Sequence, residues 1–346
     1  KDYTLYKRYN ISGQMTGVIS TDPDGSGAIK FSASRNTYNA AGLVTKVETG
    51  ELSNWISNNT KPRDWSGFSV FREQTFYYDS YGRKTIEKTR SSGTSFVVKQ
   101  FSYDSLNRVQ CETLRMNPAA FNSLPASACQ IGSEGSDGPD RITKYTYDKR
   151  NQVLTITKAL HTSSEQVYAR YTYDGTLKRT VTDANGNKTQ FDYDNFGRKT
   201  HWYLPSKTST GSVNYSDYKK YSYDSIGNIT STRMRDGRII SYEYDKLNRV
   251  TKKNIPGTAN DVFYGYDLRG LQLYARFGSP SGRGITNTFD GFTQLTSTTS
   301  NMDGSTKTIS NRFDAHGKRT RQTFPDGKYF TFYYDKLDRQ TQIREY

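Results

Sequence analysis

The stretch Phe191-Asp192-Tyr193-Asp194-Asn195-Phe196-Gly197-Arg198 carries the pattern from which the fold of this chain can be predicted. Its first two aromatic residues stand two positions apart, which places both rings on one face of a β-strand. Asp194 can accept hydrogen bonds from backbone amides two residues on, and Gly197 tolerates the positive φ that ends a three-residue hairpin turn. The stretch therefore predicts a strand, a tight turn and the start of a returning strand.

The same pattern recurs along the whole chain. An aromatic residue followed by Asp or Asn occurs thirteen times, with the aromatic at Tyr9, Tyr38, Tyr78, Tyr103, Tyr147, Tyr173, Tyr193, Tyr223, Tyr244, Tyr266, Phe289, Phe313 and Tyr334. From Tyr173 onward the copies are 20 to 30 residues apart, and the earlier spacings reach 44. A period of this length indicates small units that bury a face only by stacking on their neighbours.

Within each copy the acid is followed three positions later by Gly, Asn or, in the last copy, Asp; only Leu177 and Thr293 depart from this rule. A basic residue often follows, and it is expected to pair with the turn carboxylate or to face water. The positions predicted to build the repeat are Tyr78, Asp79, Gly82, Arg83, Tyr103, Asp104, Tyr147, Asp148, Tyr193, Asp194, Gly197, Arg198, Tyr223, Asp224, Gly227, Tyr244, Asp245, Tyr266, Asp267, Gly270, Tyr334 and Asp335.

A second turn signal lies between copies, so each unit has two strands and a turn at each end. These signals are Asp24-Gly25, Asn185-Gly186, Asp236-Gly237, Asp303-Gly304 and Asp326-Gly327. The chain contains 28 Tyr and 17 Phe, although its mean hydropathy is −0.87. Disordered chains are poor in aromatic residues, so the core is expected to be aromatic and the fold class all-β, built of tandem β-hairpins.

The charge balance excludes fewer classes of function than the repeat does. The net charge is +15, from 49 basic and 34 acidic residues spread along the chain. A scattered pattern is typical of solvated surface, although nucleic-acid binding remains a weaker hypothesis. No run of 18 apolar residues exists, so no membrane-spanning helix is predicted.

Two insertions interrupt the repeat, near 49–75 and 111–144. The first contains Trp55 and Trp65, which form either a sugar-stacking platform or part of a loop folded back on the sheet. The second contains Cys111 and Cys129, which are either two free thiols or a disulfide closing a loop of roughly 19 residues.

No enzyme motif stands out. The histidines His161, His201 and His316 are far apart and lie in no metal-binding spacing. There is no nucleophile elbow or phosphate-binding loop, and the repeat explains nearly all Asp residues as turn residues. We therefore predict no catalytic residue, no metal and no cofactor.

The stretch at 191–198, with Asp183-Ala184-Asn185-Gly186-Asn187 before it, resembles the Rhs/YD-repeat family. The resemblance covers essentially the whole chain. It implies a β-sheet that spirals into a hollow shell, a cocoon wall resembling a β-solenoid. In bacterial Rhs proteins and toxin-complex C subunits such a shell holds a C-terminal toxin, and animal teneurins use a similar shell for adhesion.

From this resemblance we expect one array over residues 1–346, with about thirteen repeats, that is a fragment of a larger protein. The expected function is a wall segment of a secreted, extracellular Rhs-type polymorphic toxin, for example one delivered by type VI secretion. Its expected partners are the remaining shell, the toxin cargo of its own polypeptide and secretion-apparatus proteins, with no specific nucleic acid. The alternative is an extracellular adhesion or glycan-binding module.

Overall fold

A computed structural model describes residues 4–22, 24, 27–28, 30–257 and 261–346. This part of the chain contains 26 β-strands and two 3₁₀ turns, Pro62–Asp64 and Pro118–Ala120. Contacts divide the chain into two compact units. Unit 1 comprises Lys1–Gly186 with Arg339–Ile343, and unit 2 comprises Asn187–Asp338 with Arg344–Tyr346. The predicted all-β class of tandem YD-repeat hairpins is confirmed, whereas the single array over 1–346 stays a prediction.

Unit 1 begins with twelve strands in chain order, and each pairs antiparallel with a sequence neighbour. They are β1 (Thr4–Tyr9), β2 (Met15–Ser20), β3 (Phe31–Tyr38), β4 (Val44–Leu52), β5 (Phe68–Tyr78), β6 (Lys84–Ser91), β7 (Thr94–Tyr103), β8 (Val109–Arg115), β9 (Arg141–Tyr147), β10 (Val153–Lys158), β11 (Gln166–Asp174) and β12 (Leu177–Asp183). The turn signal at Asp24-Gly25 lies partly outside the described residues.

The strands of unit 2 follow the same antiparallel order. They are β13 (Lys188–Tyr193), β14 (Lys199–Pro205), β15 (Val213–Tyr223), β16 (Ile229–Arg233), β17 (Ile239–Tyr244), β18 (Val250–Asn254), β19 (Val262–Tyr266), β20 (Gln272–Phe277), β21 (Gly284–Phe289), β22 (Leu295–Ser300), β23 (Lys307–Phe313), β24 (Arg319–Thr323) and β25 (Tyr329–Tyr334). The last strand, β26 (Gln340–Glu345), has its first four residues in unit 1, where it pairs with β1.

The twelve repeat hairpins from β1–β2 to β23–β24 each have a bulge at the aromatic-Asp or aromatic-Asn motif. In β5 and β6, Tyr77 pairs with Ile86 but Tyr78 pairs with Lys84, so one residue of the returning strand is skipped. Gly82, in the turn, has φ +74°, the left-handed conformation that a three-residue hairpin turn requires. The aromatic-Asp motif therefore marks the end of one strand, and its Gly marks the start of the next.

The two departures from the Gly rule have different explanations. Asp174 pairs directly with Leu177, which leaves a two-residue turn with Gly175 at φ +59° in its first position, as type II′ turns require. Thr293 keeps the longer turn and adopts φ +70° itself. A β-branched residue in this conformation is strained by roughly 1–2 kcal/mol, so the hairpin contacts outweigh the local preference.

Both fully buried apolar clusters belong to unit 1, where the two insertions fold back on the sheet. One cluster contains Ile19, Ala33, Leu52 and Trp65, and the other contains Cys111, Ala128, Ile142 and Leu160. Unit 2 is different, because Phe332 is its only large apolar side chain that is buried among the described residues. Most strand residues of unit 2 are half-buried, so stacked side chains rather than a deep core hold its hairpins together.

Candidate functional site: the clamp between repeats

The turn carboxylate organises each repeat hairpin. In the turn at 79–83, the Asp79 Oδ1 atom accepts hydrogen bonds from the backbone amides of Tyr81 and Arg83, both at 3.0 Å. The Gly82 amide closes the turn on the Asp79 carbonyl oxygen. The same pair of amide bonds is made by Asp104, Asp148, Asp194, Asp224, Asp245, Asp267, Asp290 and Asp314.

The tyrosine of each motif reaches back to the hairpin before it. The Tyr103 hydroxyl donates to the Lys84 carbonyl oxygen at 2.8 Å, and that carbonyl opens the returning strand of the preceding hairpin. Equivalent bonds of 2.7 to 3.1 Å are made by Tyr9, Tyr38, Tyr78, Tyr147, Tyr173, Tyr223, Tyr244, Tyr266 and Tyr334. This is why the aromatic is nearly always Tyr: the ring packs while its hydroxyl satisfies a bulge carbonyl.

The arginine after the turn reaches forward to the next hairpin. Arg108 donates through Nε to its own Asp104 at 2.7 Å and through a terminal nitrogen to the Asp148 carbonyl oxygen at 3.0 Å. Its guanidinium lies 4.5 Å from the centre of the Tyr147 ring. We call this combination of turn carboxylate, arginine and next tyrosine the repeat clamp. Arg198 and Arg249 build the same clamp on Tyr223 and Tyr266.

The arginine and tyrosine contacts of the clamp also join the start of β26 to β1 within unit 1. The Arg339 guanidinium lies 4.4 Å from the Tyr9 ring centre, and the Tyr9 hydroxyl donates to the Gln340 carbonyl oxygen at 3.1 Å. Lys7 adds a hydrogen bond of 2.9 Å to the Gln340 side chain. The contact made by neighbouring repeats is thus reproduced between residues more than 300 positions apart.

Clamp contacts lower the pKa values of the turn carboxylates, whereas burial raises the pKa of the clamp tyrosine. The Arg83 side chain donates to Asp79 and lowers the pKa of that carboxyl below its usual value. Burial opposes the shift at Asp104, where hydrogen bonds from the Arg108 backbone and side chain outweigh it and the pKa is still lowered. Burial raises the pKa of the Tyr103 hydroxyl, which stays neutral and able to donate. The clamp is therefore a set of charges and donors satisfied by one another.

The first insertion covers the sheet face opposite the clamp tyrosines. Trp65 is buried against Ile19 and Leu52, while Trp55 is 40% exposed and packs edge-on against Tyr6 with ring centres 4.5 Å apart. The two indoles do not form a common sugar-stacking platform, because Trp65 offers no open face. The buried Arg8 guanidinium lies 5.3 Å from the Trp65 ring and donates to loop carbonyls, which fixes the insertion on the sheet.

The second insertion packs on the same face and is joined to it covalently. Cys111 in β8 and Cys129 in the loop form a disulfide. Beside it, the buried Arg115 donates to Asp140 at 2.6 Å and to the Gln130 carbonyl oxygen at 2.8 Å. Lys88 donates to a further loop carbonyl at 2.7 Å. Nothing in the pattern of repeats announces the Arg115–Asp140 pair, because both residues fall in the irregular segment.

Catalytic and metal-binding arrangements were predicted to be absent. No group of three or more His, Cys, Asp or Glu side chains suited to a metal lies within the described ranges. A cleft of about 640 Å³ between the second insertion and the sheet is lined mainly by polar side chains such as Gln100 and Ser102. In the described part of the chain, no helix is long and apolar enough to span a membrane.

Tandem hairpins joined by a repeat clamp define this molecule as a repeat-built structural wall. The family model described as Teneurin YD-shell matches residues 7–273. The chain therefore belongs to the YD-shell family, and the predicted resemblance is confirmed. The matched residues include ten of the thirteen aromatic-Asp or aromatic-Asn motifs, from Tyr9 to Tyr266.

Two curated relatives are WapA proteins of Bacillus. The chain is 24% identical over 205 residues to the tRNA3(Ser)-specific nuclease WapA of Bacillus spizizenii and to the tRNA nuclease WapA of Bacillus subtilis. In both cases the match covers 55% of this chain and 8% of the relative. The chain thus corresponds to a small part of each of these proteins.

Solved structures resemble the fold at low sequence identity. The TcdB2-TccC3-Cdc42 structure is 12% identical, with 98% of this chain and 19% of that chain covered and a TM-score of 0.47. The Photorhabdus luminescens Tc holotoxin pore is 13% identical, with 94% and 23% covered and a TM-score of 0.34. The family assignment rests on the family model and not on these scores.

Proposed function

We propose that this chain is a wall segment of a shell that encloses a polypeptide cargo, the C-terminal effector of a longer secreted bacterial toxin. The observation that carries the proposal is the repeat clamp in a chain that belongs to the YD-shell family. Each hairpin holds the next through backbone carbonyls, so the wall does not depend on a filled interior. The WapA relatives, named as nucleases and far longer than this chain, support a place in a larger toxin polypeptide.

In this proposal the chain has no catalytic role and acts outside the producing cell. The carboxylates and arginines of the clamp are engaged with one another, which leaves them suited to holding a wall rather than to chemistry. The nuclease activity named for the WapA proteins is not assigned to this chain. The proposed partners are the remaining shell and the enclosed effector, and the secretion route, including type VI delivery, stays a prediction.

The proposal is tested by limited proteolysis of the full-length polypeptide that contains this chain. We expect its C-terminal segment to resist protease at concentrations that digest the same segment expressed alone. A double variant, Arg108→Ala with Tyr147→Phe, weakens one clamp and should make the enclosed segment accessible earlier. Tyr77→Phe, an exposed tyrosine outside the clamp, is the matched control. Equal digestion of enclosed and isolated C-terminal segments would contradict enclosure.

A further inference from the structure

The hairpin turns of unit 2 carry exposed large apolar side chains at one edge of the sheet. Each aromatic-Asp turn lies at this edge, because every such turn joins an outgoing strand to the next returning strand. We define the YD rim as the turn residues Phe196, Ile226, Leu247, Leu268, Phe292 and Leu337 of unit 2. Their exposed fractions run from 65% to 102%, and His316 occupies the one remaining turn.

Turn stereochemistry does not require apolar residues at these positions. The turn is made by the carboxylate and by the residue with positive φ, and the positions between them accept most residues. The opposite edge of unit 2 shows the contrast. Among the described residues of its turns, Met302 is the only large apolar side chain that is exposed. Beside the opposite edge, exposed apolar residues such as Tyr215 and Ile239 lie in strands, so only one edge carries a row of exposed apolar turn tips. Such a row indicates a surface that another body covers.

The spacing of the row indicates what that body is. Neighbouring turns of one edge are separated by two strands, so successive apolar tips recur at roughly 10 Å along the sheet. A partner that fills the gaps must present apolar groups with the same period over several repeats. A second copy of the YD rim has the same period, because it is built from the same repeats. If the second copy is shifted by half a period, its apolar tips lie in the gaps between the tips of the first copy.

The available area matches a stable interface. A large apolar side chain offers roughly 150–200 Å² when fully exposed. Six such side chains at the observed exposures contribute on the order of 800 Å² per copy, which is the size of a standard protein–protein interface on each side. Lys246 and Lys336 lie exposed between the tips, and the exposed Asp338 beside Lys336 already pairs with Lys318 at 3.7 Å. Apolar contact rather than ion pairing is therefore expected to hold two rims together.

We propose that the YD rim of unit 2 is an interface with a second copy of this chain, formed by interdigitating apolar turn tips. The interface is apolar and flanked by lysines. Its stability should therefore hold or increase with added salt, since salt screens the repulsion between lysines. Nucleic acid or an anionic membrane on the same rim would show the reverse salt dependence.

Sedimentation velocity of the isolated chain tests this interface. We expect a concentration-dependent species with twice the 39.4 kDa chain mass. The rim variant Phe196→Ser, Leu268→Ser, Phe292→Ser should weaken association by at least about 100-fold, because each copy loses three exposed large side chains. The control variant Ile239→Ser, Met302→Ser, Ile309→Ser changes three exposed apolar residues outside the rim and should associate like the parent chain.

Circular dichroism and thermal unfolding establish that the triple rim variant and the control variant fold. The single variant Leu268→Lys provides a second, milder change of the rim at a fully exposed tip. A parent chain that stays monomeric at about 100 μM overturns the proposal. Association that survives in both rim variants, or that falls as salt is raised from about 0.05 to 0.5 M, overturns it as well. The test does not depend on enclosed cargo, so it is independent of the proposed function.

Discussion

Replacing Tyr103 with Phe removes one hydroxyl from the repeat clamp and leaves the ring in place. The lost hydrogen bond is 2.8 Å long, and it satisfies the half-buried Lys84 carbonyl oxygen. A neutral hydrogen bond contributes about 1 kcal/mol, and an acceptor left without a partner raises the cost to about 1–2 kcal/mol. The Phe ring retains the Arg83 guanidinium, now 4.6 Å from the ring centre, so the packing and cation–π contributions are unchanged.

Hydrogen exchange read by mass spectrometry measures this cost locally, which suits a repeat protein that does not unfold as one cooperative unit. A loss of 1–2 kcal/mol corresponds to exchange about 5–30-fold faster. We expect that acceleration in β6 and β7, the two strands that the Tyr103 hydroxyl joins, and no change in β11 and β12. Urea unfolding of the same variant should show its effect in the transition of unit 1.

The matched control is Tyr77→Phe, a tyrosine on the opposite face of β5 that is 44% exposed. Its hydroxyl makes no hydrogen bond with the described residues, so exchange should change less than about 2-fold. Our account of the clamp is refuted if Tyr103→Phe and Tyr77→Phe behave alike. It is also refuted if Tyr103→Phe accelerates exchange evenly through unit 1, because a clamp acts between neighbours.

Three further predictions follow from the same contacts. Burial raises the pKa of the clamp tyrosines, which are Tyr103, Tyr147, Tyr173, Tyr223, Tyr244, Tyr266 and Tyr334. Their contribution to stability should therefore be complete below about pH 10, the pKa of an unfolded-state tyrosine, and be lost as the pH rises through the higher pKa of the folded state. Thermal unfolding between about pH 8 and 12 measures this loss. Reduction of the Cys111–Cys129 disulfide should lower the free energy of unfolding by about 3 kcal/mol, and an unchanged melting temperature in reductant would contradict this. Trp65→Ala should cost about 3–5 kcal/mol in urea unfolding, against about 1 kcal/mol for the exposed Trp55→Ala, and equal costs would show that the insertion is not packed on Trp65.

The strands and turns were predictable because their causes are local. Two aromatics at a spacing of two, an acid and a Gly are enough to specify a strand end and its turn, and the structure has hairpins at these places. The turn at Asp174–Leu177 shows the limit of a fixed pattern. Gly175, directly after Asp174, is the residue that indicates a shorter, two-residue turn. A rule that requires Gly three positions after the acid misses this turn.

The contacts between repeats were less predictable because each depends on a partner in another hairpin. From the sequence alone, the arginines were expected either to pair with the turn carboxylate or to face water. In the structure Arg108 pairs with its carboxylate and also reaches the next turn and ring. The period of the repeat held part of this information, since the arginines that directly follow a turn are each followed by a tyrosine in the next motif, as Arg83, Arg108, Arg198 and Arg249 show. The Arg115–Asp140 pair had no such signal.

The repeat clamp explains how a chain with a mean hydropathy of −0.87 forms an ordered sheet. Unit 2 has one buried large apolar side chain among its described residues, so its stability comes from half-buried rings whose hydroxyls and charged neighbours are satisfied between adjacent hairpins. Stability of this kind is a sum of neighbour contacts. Loss of one clamp therefore weakens one seam and leaves the hairpins on either side folded. In the proposed function this property matters, because a wall built of neighbour contacts opens at one seam without unfolding as a whole.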